Sequence, residues 1–276
     1  WESQGVQRLH GASPFVGHPN SLSAFALGCM AFAFCLWGAA ENWIERGVLA
    51  SLIFFGSVCI VFTASRSGYV VVFCVVFYLF FKLVRRNPKL FLLGGISLIV
   101  LLPLIPEQYY SRFESIYTGK EAEGNSSGTR LQIIKDAWDI YQTYPFGIGV
   151  QAFSKVREDM FDRTQNIHML YLEVLTNIGP VGFVLFFLLV KRILDLNKLS
   201  RARLQALPKE LKEFVFLKAL ALAVSVFIIF RLIFGLFAMD LYEPHWWLAM
   251  GFSLAIYKLV NLYEINNNKL TADENV

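Results

Sequence analysis

The sequence has few residues of the types that build disulfide frameworks or metal centres. Its 276 residues include only four cysteines and four histidines. The cysteines fall inside apolar runs without C-x-x-C spacing, where they behave as small hydrophobic residues; they are Cys29, Cys35, Cys59 and Cys74. The histidines, which share no metal-ligand spacing and form no HExxH motif, are His10, His18, His168 and His245. The sequence therefore predicts neither disulfides nor a bound metal ion.

A signal peptide is also missing from the start of the chain. The first residue is Trp1 rather than methionine, and no charged-then-apolar segment precedes the polar residues 1–20. We therefore interpret the chain as a fragment of a larger multi-span protein. The sequence also shows no internal repeat.

Long apolar runs dominate what remains. The chain is 56% hydrophobic, its mean hydropathy is +0.50, and several runs approach the roughly 20 residues that a bilayer-spanning helix needs. We predict an all-α polytopic membrane protein with about seven transmembrane helices, at Ser21–Ala40, Val48–Thr63, Tyr69–Leu83, Leu90–Ile105, Met169–Val190, Phe214–Met239 and Trp246–Val260. The predicted divisions are a membrane bundle of about four spans (1–105), a long, partly helical extracytoplasmic loop (106–168), a bundle of about three spans (169–263) and a cytoplasmic tail (264–276).

Two clusters of basic residues indicate the orientation of these spans. One cluster lies within residues 82–89 and the other within residues 191–212. Short loops rich in lysine and arginine stay in the cytoplasm. Counting spans from these loops places on the extracytoplasmic side residues 1–20, 63–68, 106–168 and 240–245.

The long outer segment contains one predicted helix. Thr129 and Gln132 match a capping box, and apolar residues follow at helical spacing, so we predict a helix over Arg130–Tyr144. Pro145 ends this helix. The glycines in 147–149 permit a tight turn or a close approach of the backbone to a ligand.

Three arginines are candidates for binding an anion or another buried partner. Arg130 falls in the first turn of the predicted helix, where a cation is unfavourable unless an anion lies nearby. Arg66 lies in a short outer turn, where a guanidinium can reach a phosphate through two hydrogen bonds. For both, the alternative is a side chain that snorkels into solvent. Arg231 lies inside a span, where a charge is tolerated mainly when it faces a partner or a wet cavity.

A histidine stands where the predicted outer loop meets a span. His168 leads without a break into the span that contains the apolar run 181–190. An imidazole with an ordinary pKa of roughly 6.5 suits proton transfer at neutral pH; the alternative is a histidine that only decorates the start of a helix. Glu173 lies near the interface, where an unpaired carboxylate is expensive. Because Glu173 is not on the same helical face as His168, we assign it a structural or supporting role.

Carboxylates are scarce in the predicted cytoplasmic loops, and no phosphate-binding glycine loop follows a strand pattern. A nucleotide-sugar donor held through a divalent cation in the cytoplasm therefore lacks its usual ligands. A donor that brings its own leaving phosphate to the outer face fits better. The few cytoplasmic carboxylates are Glu41, Glu45, Asp195, Glu210 and Glu213.

Four segments together carry a resemblance to a known family. They are His168 with Gly179–Gly182, Gly128–Gly149 around Arg130, Ser65–Gly68 around Arg66, and His18–Asn20. In this order they resemble the histidine and glycine-x-x-glycine signature, the outer arginine helix with its proline–glycine turn, the second arginine turn and the histidine-proline-asparagine motif of the O-antigen ligase and O-antigen polymerase superfamily. The chain differs at Met169, where the family usually has asparagine, serine or glutamine, and in having fewer N-terminal spans.

The resemblance implies a glycosyltransferase, with neither metal nor other cofactor, whose active site faces the periplasm or outside of the bacterial inner (plasma) membrane. It implies an undecaprenyl-diphosphate-linked glycan as donor, a hydroxyl of another glycan or of lipid A-core as acceptor, and no nucleic acid. In these terms we expect His168 to be the general base of an inverting transfer, and Arg66 and Arg130 to hold the donor diphosphate. The candidate supporting residues are Arg231, Glu173 and His18.

Two other classes of function stay open at this stage. A polysaccharide or lipid transporter (flippase) would place Arg231 in the substrate path, although the paired broken spans and internal symmetry of transporters are not visible. A membrane scaffold without chemistry would leave the arrangement of Arg66, Arg130 and His168 to chance. The sequence does not separate a ligase from a polymerase, because both use the same donor chemistry and differ in the acceptor.

Overall fold

The computed structural model describes residues 2–3, 6–12, 17–73, 126–207 and 212–273. Two short strands, β1 (Glu2–Ser3) and β2 (Val6–Gln7), pair antiparallel, and residues 66–73 are helical. A 3-10 turn at Trp37–Ala39 follows the first helix. The α-helices are α1 (Pro19–Leu36), α2 (Trp43–Phe62), α3 (Ser126–Thr143), α4 (Phe153–Phe161), α5 (Leu170–Ala206), α6 (Lys212–Phe234) and α7 (His245–Asp273).

The described helices confirm an all-α polytopic membrane protein. Five of them, α1, α2, α5, α6 and α7, are long and apolar enough to cross a bilayer. Each matches one of the predicted spans. The two other predictions, Tyr69–Leu83 and Leu90–Ile105, fall outside the described residues except for helical residues 69–73.

Two spans extend further at their C-terminal ends than their apolar runs predicted. Helix α5 does not end at Val190 but continues to Ala206, and α7 does not end at Val260 but continues to Asp273. With 37 residues at about 1.5 Å each, α5 is far longer than a hydrocarbon core of about 30 Å. The basic residues between Val190 and Ala206 therefore lie on a helix rather than in a loop. Hydropathy marks where lipid contact ends and not where the helix ends.

The chain divides into two compact units. The first contains Trp1–Leu27 and Phe55–Lys135, and the second contains Gly28–Phe54 and Asp136–Val276. In the second unit, α5, α6 and α7 form a three-helix core. In the cluster at the start of α7, Phe186 meets Trp246 edge to face with ring centroids 5.0 Å apart.

The far end of this three-helix core is also packed. Leu204 of α5 lies in a second apolar cluster with residues of α6 and α7. Between the two clusters, the buried Asn197 side chain donates to the Ser253 hydroxyl across 2.9 Å. The residues of the second cluster are Leu204, Phe214, Leu217, Ala221, Ile256 and Val260.

The helix predicted in the outer loop begins earlier than its capping pattern indicated. Helix α3 starts at Ser126 rather than at Arg130, so the predicted capping role of Thr129 is wrong. The helical backbone simply continues through the Thr129 to Gln132 pattern. The predicted end is confirmed: α3 stops at Thr143, just ahead of Pro145, which disfavours helical geometry in the residue before it.

Candidate functional site

Helix α5 is broken inside the apolar stretch that crosses the membrane. Gly179 has φ +69° and ψ −176°, far from helical values, and Pro180 follows it. Because proline has no N–H, the carbonyl of Thr176 loses the donor that a regular helix would supply. The non-helical Gly179 likewise prevents the helical hydrogen bond that would join the Val181 amide to the Asn177 carbonyl.

The loop after α3 supplies the missing donors. The Ile148 amide donates to the Thr176 carbonyl across 3.0 Å, and the Gly149 amide donates to the Asn177 carbonyl across 2.9 Å. We call Phe146–Gly149 with Thr176–Gly179 the loop–helix junction. It satisfies both carbonyls with protein donors, as a broken helix at membrane depth requires.

Two glycines allow the backbones of this junction to touch. Gly147 has φ +98°, and a Cβ placed on it would lie 2.8 Å from the Asn177 oxygen. A Cβ on Gly179 would lie 2.5 Å from the Phe146 oxygen. Of the two loop glycines, Gly147 makes its close approach to the protein's own backbone, whereas a Cβ on Gly149 would meet nothing within 4 Å.

A tyrosine from the segment between α6 and α7 joins the same junction. The Tyr242 hydroxyl accepts from the Asn177 side-chain amide across 3.0 Å and from the Gln151 backbone amide across 3.2 Å. Sequence reasoning missed both side chains. An asparagine two positions ahead of a Gly–Pro pair inside a span was the available signal for Asn177, whereas nothing local marks Tyr242.

His168 lies at the start of α5 with its side chain exposed. Two residues later, the Leu170 amide donates to the Gly235 carbonyl at the end of α6 across 2.8 Å. The Tyr171 hydroxyl donates to the Leu232 carbonyl across 2.6 Å. The first turn of α5 is therefore fixed on α6, which sets the direction from which the chain leaves His168.

The chain before His168 is held as well, through an ion-pair cluster that sequence reasoning missed. Asp136 of α3 accepts from Arg157 of α4 across 2.8 Å, and both side chains are buried. Arg163 donates to the same carboxylate across 2.9 Å. Arg157 also donates to the Gln165 carbonyl across 2.9 Å, so His168 lies between two anchored points of the backbone.

The arginine inside α6, which is partly buried, has an acidic partner. Arg231 pairs with Asp240 at 3.3 Å, and its guanidinium lies 5.4 Å from the centre of the Phe227 ring. Burial raises the pKa of the Asp240 carboxyl, and the Arg231 guanidinium opposes that rise. The buried Glu173 accepts from the Leu241 amide across 3.3 Å. Arg231 and Glu173 therefore both hold the segment that contains Tyr242.

The other histidines differ from His168 in burial or contacts. His245 is 7% exposed and its ring packs against Phe227 and Trp246. His18 is exposed, and its Nδ1 accepts from the Asn20 amide in the first turn of α1 across 3.1 Å. His245 is thus part of the core, whereas His18 caps a helix.

In the first unit, two of the sequence motifs meet through Arg8. The Arg8 side chain donates to the Thr63 carbonyl across 2.8 Å and to the Asn20 side chain across 3.0 Å. The histidine-proline-asparagine motif and the turn that carries Arg66 are therefore joined. Nothing in the local sequence around Arg8 indicated this contact.

Arg66, rather than Arg130, lies in the first turn of a helix, the position that we predicted for Arg130 from the sequence. Ser65 begins the helical residues 66–73: its hydroxyl accepts from the Gly68 amide across 3.2 Å, as an N-cap does. Arg66 is thus in the first helical turn. Arg130, exposed, is the fifth residue of α3, so the argument that placed it at a helix start is wrong. Arg66 and Arg130 belong to the first unit and His168 to the second.

Comparison with known protein families finds a match over half of the chain. The profile of a family described as O-Antigen ligase matches residues 49–187, which is 139 of the 276 residues. This stretch includes Arg66, Arg130, both halves of the loop–helix junction and His168. No curated protein matches the chain.

Three glycine-to-alanine variants test the loop–helix junction. Gly149→Ala should cost roughly 1–2 kcal/mol, because an L-residue is strained in the left-handed region that Gly149 occupies at φ +101°. Gly147→Ala should cost more, since it adds the backbone clash at 2.8 Å. Gly251→Ala in α7 is the matched control, with nothing within 4 Å of the new Cβ. Thermal unfolding in detergent measures the relative stabilities of the three variants. A Gly147→Ala protein as stable as Gly251→Ala would contradict the close backbone contact of the loop–helix junction.

Proposed function

This chain belongs to the O-antigen ligase family, which acts in glycan transfer during lipopolysaccharide biosynthesis, and from that premise we propose its reaction. A glycan is transferred from an undecaprenyl-diphosphate carrier to a sugar hydroxyl on the extracytoplasmic face of the bacterial inner membrane. The transfer inverts the anomeric carbon and needs no metal ion.

The observation that carries this proposal is the position of His168. Its side chain is exposed beside a membrane helix, and the backbone is anchored on both sides, at Gln165 and Leu170. A general base needs this combination, because it must reach a solvent-borne acceptor and yet hold a defined orientation.

The proposed step is a single displacement. His168 accepts the proton of the acceptor hydroxyl while that oxygen attacks the anomeric carbon of the donor sugar. The bond from the anomeric carbon to the phosphate oxygen breaks, and its electron pair leaves with the lipid diphosphate. Attack opposite to the leaving group inverts the anomeric configuration.

The negative charge that grows on the diphosphate needs cationic partners, and we assign them to Arg66 and Arg130. A guanidinium binds two phosphate oxygens at once, and fixed cations stabilise charge as it develops in the transition state. The place of Arg66 in the first turn of a helix capped by Ser65 supports its role, since first-turn amides also favour an anion.

The supporting residues act on the backbone in this proposal. Glu173 and Arg231 hold the segment between α6 and α7, and His18 caps α1 next to Asn20, the partner of Arg8. The engagement of Arg231 by Asp240 favours this positioning role over a transporter's substrate path. Ligase and polymerase reactions are distinguished by giving purified protein the lipid-linked glycan with either lipid A-core or more of the same glycan.

Replacing His168 tests the proposed base. His168→Ala should lower the transfer rate by about 10²- to 10⁴-fold, the usual contribution of a general base, while binding of an unreactive donor analogue stays near that of the wild type. The wild-type rate should also fall as the pH drops into the range where imidazole becomes protonated, a limb that disappears in the residual activity of the variant.

His10→Ala is the matched control, because His10 is also exposed and lies outside the matched stretch 49–187. Normal transfer by a folded His168→Ala protein would overturn the assignment of the base. His18 would then be the next candidate, since His245 and Glu173 are buried.

A substitution that keeps the charge tests the diphosphate contact. Arg130→Lys should lose much of the transfer activity and weaken binding of the donor analogue, because a point ammonium cannot reproduce the two-pronged guanidinium contact. Lys135→Ala on the same helix is the control, as it removes an exposed charge without touching Arg130. Wild-type turnover and donor affinity in Arg130→Lys would show that Arg130 is only a surface charge.

Cysteine labelling in cells tests the proposed orientation. A cysteine at Glu158, exposed on α4, should react with a membrane-impermeant maleimide from outside, whereas one at Lys198, exposed on α5, should react only after permeabilisation. The basic residues of α5 predict this difference. Labelling of the Lys198 site in intact cells would reverse the orientation and remove the extracytoplasmic site.

A further inference from the structure

The loop half of the loop–helix junction carries large apolar side chains that the described part of the chain leaves exposed. Phe146 is 86% exposed and Val150 is 69% exposed. No charged residue occurs from 140 to 154. An uncovered phenylalanine and valine within an uncharged stretch are unusual for a loop surrounded by water.

The hydrogen bonds of the junction place this loop along a membrane helix. The amides of Ile148 and Gly149 bind the carbonyls of Thr176 and Asn177. These carbonyls lie within the uncharged part of α5, which runs from Val174 to Val190 and is followed by the exposed Lys191.

The position of the junction along α5 follows from helix geometry. At a rise of 1.5 Å per residue, residues 176–179 lie roughly 17–21 Å from Val190 along α5. The apolar stretch next to them carries side chains that are more than half exposed, at Val181, Val184, Leu185 and Leu188. The loop thus lies beside a lipid-facing part of α5, towards the end of the span that carries His168.

Four backbone amides of this stretch have the protein partners that such an environment requires. Inside hydrocarbon, irregular backbone is tolerated only when protein partners satisfy its polar groups. The Gly147 amide donates to the Tyr144 carbonyl, and those of Ile148 and Gly149 donate to α5. The Gln151 amide donates to Tyr242.

We infer that residues 144–150 insert into the bilayer beside this part of α5, with Phe146 and Val150 in contact with lipid acyl chains. Its apolar surface continues that of α5, where Val181, two residues beyond Gly179, is 68% exposed. The occupant of the uncovered surface is therefore the bilayer itself. This inference is independent of the reaction proposed above.

Spin labels in vesicles test the inference without an activity assay. In a full-length protein whose native cysteines are replaced by alanine, single cysteines at Phe146 and Val150 receive a nitroxide label. The protein is reconstituted in phosphatidylcholine–phosphatidylglycerol vesicles. Both labels should collide several-fold more with oxygen, which concentrates in lipid, than with a water-soluble nickel chelate. Because both side chains are exposed, the labels displace no packing.

Two matched positions calibrate the measurement. Val181→Cys should give the lipid pattern, and Glu158→Cys, exposed on α4, should give the opposite, aqueous pattern. Nickel access at both Phe146→Cys and Val150→Cys equal to that at Glu158→Cys would overturn the inference. Shielding of both labels from both reagents, or spin–spin broadening between copies, would also overturn it, because protein would then cover the surface. If one labelled protein does not elute from a sizing column as the unlabelled parent protein does, the result at the other labelled position decides the test.

Discussion

A peptide carbonyl without a donor is costly inside a bilayer, and the form of the second unit follows from that constraint. The Gly179–Pro180 break in α5 leaves two such carbonyls, and the loop after α3 meets them with two amides. The same loop is tied by Tyr242 to the segment between α6 and α7. One break in one helix therefore requires three separate stretches of chain to converge.

Charges with little exposure to solvent are matched in the same way on either side of His168. Arg157 is fully buried and is matched by Asp136, while Arg231 is matched by Asp240. Breaking such a pair leaves an uncompensated charge, which costs far more than the intact pair contributes to stability. The polar contacts of the second unit therefore fix the geometry around His168 but add little net stability. The opposite end of α5 is held by apolar packing around Leu204.

Local signals in the sequence predicted the helices better than the contacts between them. Apolar runs located the five described spans, and Pro145 marked the end of α3, because both effects act over a few residues. The same locality produced the errors: the capping pattern at Thr129 fits a helix start, yet the helix already runs through it. The contacts of Arg8 with Thr63 and of Asn177 with Tyr242 join residues 55 and 65 positions apart, and no short-range pattern encodes such pairs.

The order of residues in the loop–helix junction also sets when it can form during synthesis. The donors at Ile148 and Gly149 leave the ribosome before their acceptors at Thr176 and Asn177, and Tyr242 follows 65 residues after Asn177. A nascent α5 therefore meets the insertion machinery with its loop partner already made but its tyrosine still missing. Completion of the junction must wait for the turn between the last two described spans, which makes it a late step in biogenesis.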